Sequence, residues 1–177
     1  AALRDPRIDP AFLAQLLTLP TEGDIARELG RDVAPDAILS ARRGLKQAIH
    51  ADLEPELTAA YDAMDGSAAY TPDAAGAGRR SLRGTALDLL AARLDDYAAS
   101  RAFAHYSSAN NMTDRMAGLA VLSQIPSEQR EDALRDFAQR FADDGLVLDK
   151  WFTLQASIPE AGTLERVRSL NISSMIL

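Results

Sequence analysis

The 177-residue chain has no cysteine, two histidines, two lysines and a single tryptophan. The missing cysteine excludes disulfides, cysteine nucleophiles and thiolate metal sites. Neither histidine has a second histidine at helical ligand spacing, and His50 is followed by "ADLE", so the zinc pattern H-E-x-x-H is absent. No uninterrupted apolar run approaches the roughly 18–20 residues that a bilayer-spanning helix needs. The opening "AALRDPRIDP" is charged and broken by proline, unlike a secretory signal. With no export signal, the cytoplasm is the expected compartment. The absence of an initiator methionine suggests a mature or excised piece. Positive charge is also short. The formal net charge is -7 and the sequence pI about 4.8, which argues against nucleic acid or an anionic membrane as a main partner.

What the chain does have is alanine, leucine and helical periodicity. Apolar residues make up 47%, an ordinary share for a folded domain, and the length suffices for one domain with a core. Residues Ile38, Ala41, Leu45, Ala48, Ile49 and Leu53 recur at steps of three and four, predicting a helix over 36–53. Leu82, Ala86, Leu89, Leu90, Leu94 and Tyr97 predict another over 79–97. Ser127 is placed to cap a helix over 127–142 whose stripe is Ala133, Leu134, Phe137 and Phe141. Val147, Leu148, Trp151, Phe152 and Leu154 mark the most apolar helix, over 146–158.

Sustained strand alternation is absent, and turn residues separate the helical stretches. The expected fold is all-α, with antiparallel helix pairs stacked as a superhelix or solenoid rather than a closed bundle. The chain reads as a single helical domain over 1–177, and the Ala/Gly-rich span 66–78 reads as a mobile loop.

The search for chemistry yields no catalytic constellation. His50 suits a solvated helix-end position, with only Asp52 and Glu54 as weak co-ligands. His105 suits a half-buried, hydrogen-bonded position near a helix end. Arg79, Arg80 and Arg83 in "GAGRRSLRG" form a cluster that fits an anion or an acidic partner, or a solvated face pairing with acidic neighbours. Glycine spacing there does not make a phosphate loop. Asp95-Asp96, Asp143-Asp144 and Glu131-Asp132 are adjacent acids, which point apart on a helix and suit surfaces or caps. Asp149 and Lys150, beside Trp151, are expected to be satisfied internally.

The stretch "SSANNMTD" (107–114) is a knot of polar side chains between two apolar runs. Asn110 or Asn111 is placed to end the preceding helix, and Asn111 or Thr113 to cap the next, with Asp114 near its positive end. It reads as a helix–turn–helix corner rather than a ligand site.

"ANNMTD" (109–114) followed by "GLVLDKWFTLQA" (145–156) resembles the C-terminal helical region of bacterial aminopeptidase N, the zinc-dependent alanyl aminopeptidases of the gluzincin class. "LLTLPTEGDIARELG" (16–30) and "RRSLRGTALDLLA" (79–91) carry the same resemblance, which spans roughly Leu16 to Val167. It implies a parent with an N-terminal β-rich domain, a thermolysin-like catalytic domain, a small β domain and a C-terminal α-superhelix that caps the active-site chamber. The parent would release N-terminal residues from peptides with zinc.

The family's H-E-x-x-H and G-A-M-E-N motifs are absent here, so the resemblance assigns this chain no catalytic, cofactor-binding or metal-binding residue. Its implied partner is the catalytic domain of the same polypeptide, with peptides as substrates only of the complete enzyme. The end, "NISSMIL" (171–177), departs from the family pattern, and further helices would be expected to follow. A stack without its terminal helices would expose an apolar end, so self-association or marginal stability is expected. The alternative reading is a stand-alone helical-repeat interaction scaffold; an independent enzyme using Lys150, His50 or His105 has little support.

Overall fold

The computed structural model describes residues 2–5, 7–66 and 69–170. The divergent tail 171–177 lies outside them. Among the described residues there are nine α-helices, one short 3-10 turn (Ala2–Arg4) and no strand. The helices are α1 (Pro10–Leu17), α2 (Glu22–Leu29), α3 (Pro35–Ala63), α4 (Ala74–Leu90), α5 (Asp96–Ser108), α6 (Met112–Ser123), α7 (Glu128–Arg140), α8 (Gly145–Ala156) and α9 (Thr163–Ser169).

Seven of the nine helix starts carry a side-chain cap, while Ala34 before α3 and Gly162 before α9 supply none. Asp9, Thr21, Asp73, Asp95, Asn111, Ser127 and Asp144 all cap with a side-chain oxygen that accepts from backbone N–H groups in the first turn. Thr21 and Asp24 complete a capping box.

The helices pack as successive layers. α1 and α3 lie on α4; α4 packs on α6; α5 pairs with α6; α7 sits across α5 and α6; α8 and α9 close the far end. This is the stacked all-helical arrangement that the periodicity predicts. The main core gathers Leu87, Tyr106, Leu119, Leu122, Phe137 and Trp151, with Trp151 donating its Nε1–H to Leu134 O at 2.8 Å. A second cluster joins Leu13 and Ala14 of α1 to Leu82, and a third joins Leu57 of α3 to Leu89 and Leu90.

Three boundaries differ from the sequence reading. First, α3 does not stop near Leu53. It continues through Pro55 to Ala63, because Leu57 and Ala60 are buried against α4. That burial outweighs the hydrogen bond the proline removes. Much of the stripe predicted for its first half stays open, with Leu45 49% exposed. Second, the 79–97 helix is two helices. α4 ends at Leu90, Leu94 takes a left-handed backbone with φ 54°, and Asp95 starts α5. Tyr97 therefore leaves the stripe and is 67% exposed. Third, the loop expected over 66–78 ends at Asp73, whose side chain accepts from Gly76 N–H and starts α4 at Ala74. Residues 67 and 68 of that span lie outside the described residues.

Two glycines permit close helix contacts. At Gly78 a Cβ would sit 3.1 Å from Ala11 N on α1. At Gly118 it would meet Tyr106 backbone N at 2.8 Å and Cα at 3.0 Å, so α5 and α6 cross there almost backbone to backbone. Gly118→Ala gains about 1 kcal/mol of helix propensity. The crossing cannot yield without separating the helices, so a net loss of about 1–2 kcal/mol is expected. Urea unfolding measures it, and a stabilised variant would refute the tight crossing.

Candidate functional site

The 107–114 corner is built from caps. α5 ends at Ser108, and Ala109 follows with an extended backbone. Neither Asn110 nor Asn111 adopts the left-handed conformation expected of a helix-ending residue. Instead Arg115, one turn into α6, reaches back. Its Nη1 donates to Tyr106 O at 3.4 Å and its Nη2 to Ala109 O. This substitute for a C-cap was not legible in the sequence, since it depends on how α6 folds back on α5.

Asn111 is the N-cap of α6; its Oδ1 accepts from Asp114 N–H at 3.0 Å. Thr113 lies inside the first turn and is not the cap. Asn111 Nδ2 also donates to Asp114 Oδ2 at 2.7 Å and to Asn110 Oδ1 at 3.0 Å. Asn111→Ala is expected to lower stability by about 0.5–2 kcal/mol, measured by thermal or urea unfolding; Thr113→Ala, lacking the cap role, should cost less.

Behind the corner lies a polar cluster drawn from four helices. His105 on α5 is 1% exposed, more deeply buried than the sequence suggested, and its Nδ1 is 3.0 Å from the Tyr61 hydroxyl of α3. Arg83 of α4 lies over the Tyr61 ring, 4.8 Å from its centroid, and Arg101 approaches the same ring at 6.0 Å. Asp114 of α6 is 2% exposed. Burial first, and the Arg83 charge second, push the His105 pKa down to about 4, against the opposing pull of Asp114. Burial also pushes the Tyr61 hydroxyl up. This is a neutral histidine in a structural network.

The three arginines do not form one anion site. Arg79 is exposed. Arg80 stacks on Tyr70 at 4.7 Å and donates to Thr71 O at 3.1 Å, while Arg83 turns inward to Tyr61.

The remaining candidates separate in space. His50 is not at a helix end; it is mid-helix in α3, 7% exposed, with Nε2 3.8 Å from Glu54. Asp149 and Lys150 are exposed on α8 rather than satisfied internally, because Trp151 and Leu148 take the buried side. The paired acids serve caps and ion pairs: Asp95 caps α5, Asp144 caps α8, and Glu131 holds Arg130 and Arg166 at 3.0 and 2.6 Å. Arg130, 6% exposed, also binds Glu160 at 2.6 Å, tying α7 to the α8–α9 connector. Among the described residues no group of three or more His, Asp or Glu is placed to hold a metal ion, and no helix is long and apolar enough to cross a membrane.

Comparison with known proteins fits the layered helices. The sequence profile described as "Domain of unknown function (DUF3458_C) ARM repeats" matches residues 1–174. The chain belongs to this family. The domain is 39% identical over 175 residues to aminopeptidase N of Escherichia coli, covering 96% of this chain and 19% of that protein. It is 37% identical over 169 residues to aminopeptidase N of Caulobacter vibrioides, covering 96% of the chain and 20% of the relative. This DUF3458_C domain thus spans about a fifth of the length of the curated relatives it matches. Its fold is shared with Legionella pneumophila aminopeptidase A, solved in complex with aspartic acid, at a TM-score of 0.80 and 22% identity over 95% of the chain and 21% of that structure.

Proposed function

We propose that this domain is the non-catalytic C-terminal helical part of a zinc aminopeptidase, where it caps and gates the chamber in which N-terminal residues are released from peptides. The observation that carries the reading is the near-complete match of the chain to one fifth of two aminopeptidase N sequences. The described side chains fit a supporting role: the buried polar groups cap helices, pair across layers or stack on tyrosines.

A zinc site needs three or four converging ligands. His50 and His105 sit on different helices, and among the described residues no metal-ligating cluster accompanies either. On the resemblance to aminopeptidase N, zinc, the water it activates and the glutamate base would belong to the catalytic domain of the same polypeptide, with the peptide bound between the two.

The isolated chain is expected to show no hydrolysis of an alanyl amide with zinc added. The reading frame upstream of Ala1 is expected to encode H-E-x-x-H and G-A-M-E-N. Zinc-dependent turnover by the chain alone would overturn the non-catalytic assignment. An upstream frame without those motifs would favour the stand-alone interaction scaffold.

A further inference from the structure

The two halves of α3 are anchored unequally. From Ile49 onward the helix is held by apolar packing: Ile49, Leu53 and Leu57 meet Leu89 and Leu90 of α4. Ahead of that point the hold is thin. Among residues 35–48 Ile38 alone is buried, and α2, which packs on α3, buries no residue at all. Arg42 ties α2 to this half of α3: its Nε donates to Pro20 O at 2.8 Å and its Nη1 to Glu22 Oε1 at 3.0 Å. A groove separates the pair from α4 and α6, with Glu22, Leu39 and Lys46 on one wall and Asp88, Ala91 and Val121 on the other. Lys46 Nζ crosses it to Asp88 Oδ1 at 2.6 Å. Pro55 has no N–H to give Ala51 O, so the helix ladder is interrupted just past the point where anchoring begins.

We propose that α2 and residues 35–48 form an arm that opens away from α4 and α6 as one unit while the rest of the stack stays folded, with the Lys46–Asp88 pair as its clasp. Local opening costs least where few buried apolar contacts are lost. Here the closed arm covers Ile38 on its own side and Ala91 and Val121 on the facing wall. Both clasp side chains are partly exposed, so the pair contributes little and is screened by salt. The Arg42 bonds carry α2 along with α3, and opening uncovers the apolar strip of the groove.

The test is hydrogen exchange, followed by mass spectrometry, on the whole 177-residue chain and its Lys46→Gln and Asp88→Asn variants. In the wild type, α2 and residues 35–48 are expected to exchange together and ahead of α4, α6 and α7. Each variant should speed exchange in the arm by about two- to fivefold and leave α7 unchanged. Raising salt should speed the wild-type arm and have little effect in the variants. Arg135→Gln, which breaks an exposed pair with Asp132 on α7, should leave the arm as it is. Unchanged arm exchange in both clasp variants, equal acceleration of α7, or fast exchange of α2 with residues 35–48 as protected as α4 would each overturn the proposal.

Discussion

Phe137→Ala is expected to remove about 3–5 kcal/mol of stability, the range for deleting a fully buried aromatic ring. Phe137 has no exposed surface and stands where α7 meets the main core, with Leu134, Trp151, Tyr106 and Leu122 in the same cluster. Its ring lies 4.7 Å from that of Phe141 at an angle of 50°, so truncation also removes an aromatic contact. The surrounding helices are fixed by their own caps and by the Arg130–Glu160 pair, which limits collapse into the cavity. A domain of this size is stable by only about 5–15 kcal/mol in all, so the variant should unfold at markedly lower urea concentration. Tyr97→Ala, at an exposed position, serves as the control. A Phe137→Ala loss below about 1 kcal/mol would mean that α7 re-packs freely.

Stability is also expected to fall with pH between about 6.5 and 4 because of His105. In the unfolded chain the imidazole has its ordinary value near 6.5; in the fold it is held down to about 4. Between those values the unfolded state binds the proton and the folded state does not, so acid favours unfolding. The contribution is fully present above 6.5 and is lost as pH falls to 4. The slope is at most about 1.4 kcal/mol per pH unit, or on the order of 3 kcal/mol over the window. Tyr61 of α3, Arg83 of α4 and Asp114 of α6 act on the imidazole, and Arg101 of α5 lies over the Tyr61 ring. Carboxylates add their own acid dependence, so the comparison is with His105→Gln. Unfolding free energies at about pH 7 and pH 4.5 should differ more in the wild type than in the variant. Equal differences would refute a buried neutral imidazole.

Much of the architecture was legible because caps and apolar stripes are local. Ser127 and Asn111 stand at helix starts that neighbouring residues mark. The stripes of α4 and α7 name core residues correctly: Leu82, Leu89, Leu90, Ala133, Leu134 and Phe137 are all buried. The predicted 36–53 helix ended too early because its local stripe stops at Leu53, while the burial of Leu57 that carries α3 on past Pro55 acts through a different helix. The 79–97 span misled for the complementary reason. Leu94 and Tyr97 keep helical spacing across a turn that the spacing cannot reveal.

By itself the sequence determined the all-α class, several of the helix starts, the lack of cysteine or H-E-x-x-H chemistry and the family resemblance. Those follow from composition, from periodicity and from hydrogen bonds spanning three or four residues. The tertiary structure alone decided that His105 is buried and neutral, that Arg115 closes the end of α5, that Arg83 turns inward to Tyr61, and that Asp114 is buried. Each of these depends on which groups the stacking of α3, α4, α5 and α6 brings within a few ångströms. Desolvation and charge act over that distance, and residues up to 44 positions apart in the chain supply them.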